Sequence, residues 1–270
     1  ARFACSLFML TSKVLLHVEE FGSGDPTVVL LHGFGGSARN FRPQARFLAP
    51  NHHVLLSDLR GHARSEAPAS PDEYELGAFV EDTRELVARA GTPRVVLCGL
   101  SMGAAIALHY ARQYPGSIHG LILAAFPGAA DPPTSTPSWA LRFADAIERD
   151  GLDAAGAEFV WGGTRFDADG AKWIRQGFME HPPHALAATL RRVLATLPQI
   201  KKIASELSLI RIPTLVIFGD EDASAEASSR ELAAALPLAT LVAVPGAGHV
   251  VNLQKPESFN TAIGEFLRGI

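Results

Sequence analysis

The 270-residue sequence predicts an α/β fold: a mostly parallel central sheet with helices on both faces. Three observations predict it. Short β-branched runs alternate with helical patterns along the first and last parts of the chain. Most of these runs are continuously apolar, as strands covered on both faces are. Between them, residues 127–207 hold short helical patterns broken by Gly and Pro and no convincing strand, so they read as a helical insertion after the sixth strand.

The elements follow in order. "ARFACSLFML" (1–10) reads as an ordinary first strand, with a clipped signal peptide as the alternative: it has one positive charge and a short apolar run, but no convincing small-residue cleavage site. Residues 13–22 form a strand running into the turn "GSGDP", and "TVVLLHG" (27–33) is a buried-type strand. Residues 37–49 have helical spacing, with Pro43 restricting where a helix can begin. "HHVLLSD" (52–58) is a strand. Residues 71–91 are an amphipathic helix with acids in the first turn and Gly91 at its end. "RVVLCG" is a strand, "MGAAIALHYARQYP" a helix, and "IHGLILAAF" (118–126) a strand. After the insertion come strand 214–220, helix 225–237, strand 239–246 and a closing helix from Pro256 to Arg268.

Hydrophobic residues are 47% of the chain, enough for a sizeable core. Charged residues are 19% and the net charge is −4, with no basic cluster interleaved with aromatics. That excludes the electrostatic signature of nucleic-acid or anionic-membrane binding, and no apolar run reaches a membrane span. Cys5 and Cys98 make neither a ligand pair nor a disulfide framework, so a reducing compartment, the cytoplasm, is expected. His181 and His184 flank two prolines without a third ligand, which reads as a loop or helix start rather than a metal site.

One position carries chemistry. In "RVVLCGLSMGAAIALHYA" a strand ends, Ser101 stands between Gly99 and Gly103, and a helix begins at once. A side chain there projects from a sharp strand-to-helix turn at the carboxyl end of the sheet. Such a turn needs neighbours without bulk, and the helix dipole favours negative charge beside it. The G-x-S-x-G pattern has little weight without this context; with it, Ser101 reads as a nucleophile.

A serine hydroxyl needs a base, and the base an orienting acid. The last strand runs into "PGAGHVV", which places His249 on a glycine-rich loop past the sheet. The strand before it runs into "FGDEDAS", where Asp220, Glu221 and Asp222 are all carboxylates. Two donors for an oxyanion are expected from backbone: the N–H of Met102, just after the serine, and the N–H of Phe34 in the glycine-rich "LLHGFGGS" loop.

Taken together, "HGFGGS", "DLRGHARS", "GLSMGA", "IPTLVIFGDEDAS" and "PGAGHVVNLQKPESFNTAIGEFL" resemble the α/β-hydrolase family over nearly the whole chain. The resemblance implies a Ser101–Asp222–His249 triad, the acid standing three residues after Gly219, with Asp220 the alternative. It implies a core of residues 1–126 and 208–270, a helical cap at 127–207, and no metal or organic cofactor. Departures are Ala63, where many members have glycine, and "SAEA" after the acid, where many have a proline. The expected activity is hydrolysis of a small-molecule carboxylic ester or lactone through an acyl-enzyme. Enol-lactone hydrolases are a narrower resemblance at the elbow and from the acid strand onward. Carbon–carbon bond hydrolysis of ring-cleavage products, perhydrolase or haloperoxidase chemistry, and a non-catalytic ligand receptor are the rival readings. Trp139, Phe143, Phe159, Trp161, Trp173, Phe178 and Met179 give the cap apolar bulk, mostly for its own packing and partly for an apolar substrate portion. Homodimerisation is left open.

Overall fold

A computed structural model describes residues 5–11, 13–128, 138–162 and 168–270. In chain order its elements are β1 (Cys5–Leu10), β2 (Leu15–Phe21), β3 (Val28–Leu31), α1 (Arg42–Leu48), β4 (Val54–Ser57), α2 (Leu76–Arg89), β5 (Val95–Leu100), α3 (Met102–Gln113) and β6 (Ile118–Ala124). Then follow α4 (Trp139–Gly156), α5 (Ala168–Phe178), α6 (Pro183–Arg192), α7 (Ile200–Leu207), β7 (Thr214–Gly219), α8 (Ala223–Ala235), β8 (Ala239–Val244), α9 (Val251–Gln254) and α10 (Pro256–Arg268).

The eight strands make one sheet in the order β1-β2-β4-β3-β5-β6-β7-β8. The β1–β2 and β2–β4 pairings are antiparallel, and every other pairing is parallel. Alternate residues of the same strands feed two apolar layers, as the period of two requires. Val29, Leu31, Leu55, Leu97, Leu121 and Val216 meet α2, α3, α7 and α8 through Phe79, Ile106, Ile203 and Leu232. Val28, Leu30, Leu56, Val96, Ile122 and Ile217 meet α1 and α10 through Ala45, Phe259 and Ile263. Most strand residues are buried, which explains why the runs read as continuously apolar.

Two segments expected as single helices are divided. Residues 38–41 form a 3-10 turn before α1. Pro43 has no N–H to give the Arg39 carbonyl, which takes the Arg42 N–H instead. Residues 71–74 form a second 3-10 turn, and Glu75 is extended (ψ 149°) before α2 begins. The cause is tertiary: the buried Arg60 guanidinium takes the Glu73 carbonyl at 2.7 Å and forks onto Asp82 at 2.6 Å on both arms. That carbonyl is therefore withdrawn from helix bonding.

Between β6 and β7 the described chain is helical. Phe143 of α4 stacks on Phe159 (centroids 4.7 Å apart) and on Phe178 (6.0 Å), with Ala140, Ile147, Leu186 and Leu190 closing a separate apolar cluster. Ile200, Ile203 and Leu207 of α7 instead join the layer under the sheet. Among the described residues no helix is long and apolar enough to cross a membrane.

Candidate active site

The carboxyl end of β5 places Ser101. Its backbone has φ 53° and ψ −115°, a sparsely populated positive-φ conformation outside the left-handed helical well that costs a non-glycine residue about 1–3 kcal/mol. Its position is overdetermined: the Ser101 N–H bonds Ala124 O at 2.8 Å, and its carbonyl takes the Ala104 and Ala105 N–H groups that open α3. The flanking glycines are required by close approach. A Cβ on Gly99 would lie 2.1 Å from Gly103 O, and one on Gly103 would lie 2.2 Å from Leu31 O. The tight turn in the sequence is thus the contact between the start of α3 and the end of β3.

His249 lies on the loop between β8 and α9. Its Nε2 is 2.9 Å from Ser101 Oγ, and its Nδ1 is 2.5 Å from Asp222 Oδ2. A carboxylate only accepts, so Nδ1 carries the proton and donates to Asp222, leaving Nε2 to accept from the serine hydroxyl. Burial opposes the charge on Asp222. The hydrogen bond from His249 and the backbone N–H groups of Ala225 and Ser224 outweigh it and hold this carboxyl below its ordinary range. Asp222 also caps α8, accepting the Ala225 N–H at 3.2 Å. The nearby Asp220 faces elsewhere and takes the Gly246 N–H at 2.7 Å. Of the two aspartates, then, it is Asp222 that reaches the histidine. The hydrogen-bonded chain runs from carboxylate to imidazole to hydroxyl, an arrangement that raises the nucleophilicity of a serine.

The glycine loop after β3 comes down beside Ser101, since a Cβ on Gly33 would sit 3.4 Å from Ser101 Cβ. Met102 opens α3 directly after the serine. The peptide joining Gly33 to Phe34 is held by its carbonyl, which accepts from His32 Nδ1 at 2.8 Å and from the Gly36 N–H at 3.0 Å. A trans peptide is planar, so fixing that carbonyl also fixes the Phe34 N–H, which points the opposite way. His32 can donate because its Nε2 is occupied, accepting the Leu59 N–H at 2.9 Å. Fully buried, His32 has its pKa pushed down to about 4 and is held neutral. The sequence offers the Phe34 N–H as a candidate donor but not this use of His32, whose adjacency to Gly33 was its one available signal.

Around the loop the aromatic residues gather. The Phe34 ring meets Phe143 (5.7 Å), Phe178 (6.2 Å) and His62 (6.0 Å). Phe143, Phe159 and Phe178 are buried packing residues, while Trp139, Trp173 and Met179 are each more than 40% exposed. Ala63, where the resemblance has glycine, adopts φ 46°, the backbone conformation that glycine takes without strain.

Comparison with known proteins agrees with this architecture. A family model described as the alpha/beta hydrolase fold matches residues 26–256. The pimeloyl-[acyl-carrier protein] methyl ester esterase of Nitrosospira multiformis is 28% identical over 95% of this chain and 99% of its own. Among solved structures, the enol-lactonase of Burkholderia xenovorans LB400 superposes with a TM-score of 0.85 at 25% identity, covering 97% of this chain and 100% of that one. A thermophilic esterase of Thermogutta terrifontis gives 0.86 at 28% identity, covering 98% and 99%. With the family model spanning most of its length, the chain belongs to the alpha/beta hydrolase family.

Proposed function

We propose that the protein is a serine hydrolase of carboxylic esters or lactones, acting through an acyl-enzyme on Ser101. The observation that carries this reading is the continuous hydrogen-bonded chain Asp222–His249–Ser101 at the strained corner of β5 and α3. His249 takes the hydroxyl proton as Oγ attacks the carbonyl carbon. The oxyanion is received by the N–H groups of Phe34 and Met102. The imidazolium, stabilised by Asp222, then protonates the departing oxygen, and water repeats the sequence on the acyl group. Base catalysis supplies about 10²–10⁴-fold, and each oxyanion donor about 10²–10³-fold.

Likeness to a methyl ester esterase and an enol-lactonase supports an ester or lactone as the bond broken. We read α4, α5 and α6 as a cap over the site; the expected cap of 127–207 is shortened at its end, because α7 packs under the sheet. The partly exposed Phe34 ring, on the loop beside Ser101, supports a substrate with an apolar portion. The test is turnover of p-nitrophenyl acetate and butyrate. The wild type hydrolyses them, and Ser101→Ala loses about 10³-fold or more. Turnover that survives the substitution rules out Ser101 as the nucleophile.

A further inference from the structure

The helical segment between β6 and β7 does more than stand above the site. His181, just before α6, is 4% exposed and reaches across to the glycine loop, its Nε2 2.9 Å from the Gly36 carbonyl oxygen. A carbonyl only accepts, so Nε2 carries the proton and donates, and the second nitrogen, Nδ1, is an acceptor buried without a partner among the described residues. The imidazole therefore acts on its surroundings through one hydrogen bond. Phe178, stacked on His181 at 6.1 Å, covers the same loop: a Cβ on Gly35 would lie 2.6 Å from its ring. Gly35 has φ 66°, so the loop takes a left-handed turn directly beneath that ring. Glu180, next in chain to His181, pairs with Arg39 just beyond the loop.

Gly36 is the far end of the turn that holds the Phe34 N–H. The Gly36 N–H bonds the Gly33 carbonyl, and the Gly36 carbonyl is bonded by His181. The Gly33–Phe34 peptide is thus gripped from the core by His32, and the turn closing on it is gripped from the insertion by His181. The near-perpendicular contact of His181 with His62 (5.2 Å) seats its ring.

We infer that His181 is a positioning residue for the oxyanion donor: its Nε2–H to Gly36 couples the helical insertion to the orientation of the Phe34 N–H. The inference rests on the serine-hydrolase reading above. Positioning of this kind acts in the transition state, where an oxyanion must be met at bonding distance, and little on substrate binding. A role confined to packing would follow stability instead.

Two substitutions separate the hydrogen bond from the ring. His181→Phe keeps an aromatic ring against Phe178 and His62 and removes the N–H. His181→Gln removes the ring and keeps a donor at the same reach. Both are compared with wild type and Ser101→Ala in p-nitrophenyl butyrate turnover, thermal unfolding, and inhibition by an alkyl trifluoromethyl ketone. That ketone forms a tetrahedral adduct: Ser101 Oγ bonds its carbonyl carbon, the hydroxyl proton passes to His249, and the ketone oxygen becomes the oxyanion. His181→Phe is expected to lower kcat about tenfold or more, leave KM within about twofold, and weaken the ketone in step with kcat/KM. His181→Gln is expected to recover most of the loss. The inference is overturned if His181→Phe keeps wild-type kcat, if Gln is no better than Phe, or if the losses follow Tm rather than ketone affinity. Turnover retained by Ser101→Ala would instead remove the reading on which the inference rests.

Discussion

Gly103→Ala tests the geometry of the corner with a single methyl group. The added Cβ would lie 2.2 Å from Leu31 O and 2.7 Å from His32 O, both backbone atoms at the end of β3. A comfortable carbon–oxygen contact is about 3.3 Å, so α3 and the β3 end must separate by about 1 Å. Met102 rides on α3 and Phe34 follows β3, so that separation would part the two proposed oxyanion donors. Overpacking of this kind costs about 1–3 kcal/mol of stability. A misplacement of about 1 Å in a catalytic geometry costs about 10²-fold in rate. Urea unfolding and p-nitrophenyl butyrate kinetics measure the two effects separately. Gly77→Ala is the matched control, an exposed position within α2 with nothing within 4 Å, and should gain about 0.5–1 kcal/mol with unchanged turnover. A Gly103→Ala enzyme within about threefold of wild-type kcat/KM would refute the reasoning.

Two further outcomes follow from the site. Asp222→Asn should lower kcat by about 10³–10⁴-fold with KM little changed, whereas Asp220→Asn, which keeps an oxygen to accept the Gly246 N–H, should stay within about fivefold; the reverse order would transfer the acid's role to Asp220. His32 is neutral in the fold at about pKa 4, against 6.5 for an ordinary histidine. Between those values the unfolded chain binds the extra proton, so the stability is fully present above pH 6.5 and is lost as pH falls toward 4. The difference corresponds to about 3 kcal/mol from this residue alone. Burial and Arg112 likewise lower His109 to about 4, adding to the slope in the same window. Urea midpoints that stay flat from pH 7 to 4 would contradict the buried neutral imidazoles.

The sheet and its helices were legible because parallel strands covered on both faces must be apolar at every position, and crossovers must be helical. The corner was legible because only small residues tolerate the approach of α3 to the end of β5 at Gly99 and to the end of β3 at Gly103, so these glycines carry the geometry in their identities. His249 and Asp222 were legible from chain order and strand ends, although three neighbouring carboxylates needed the resemblance to choose among them. What was not legible is tertiary. The split before α2 depends on Arg60, eleven residues upstream of the 3-10 turn, claiming the Glu73 carbonyl. His181 lies 145 residues from its partner Gly36, and no local pattern marks such a bond. His32 appeared only as part of a glycine loop, because the sequence does not show which carbonyl an imidazole meets.

The central claim is that Ser101 forms the covalent intermediate. Reaction of the intact protein with a fluorophosphonate, followed by peptide mapping by mass spectrometry, tests it most directly. The account predicts a single adduct on the peptide containing Ser101, with labelling slowed sharply in His249→Ala and absent in Ser101→Ala. An adduct on any other residue, or labelling of Ser101 that proceeds at the same rate without His249, would contradict it.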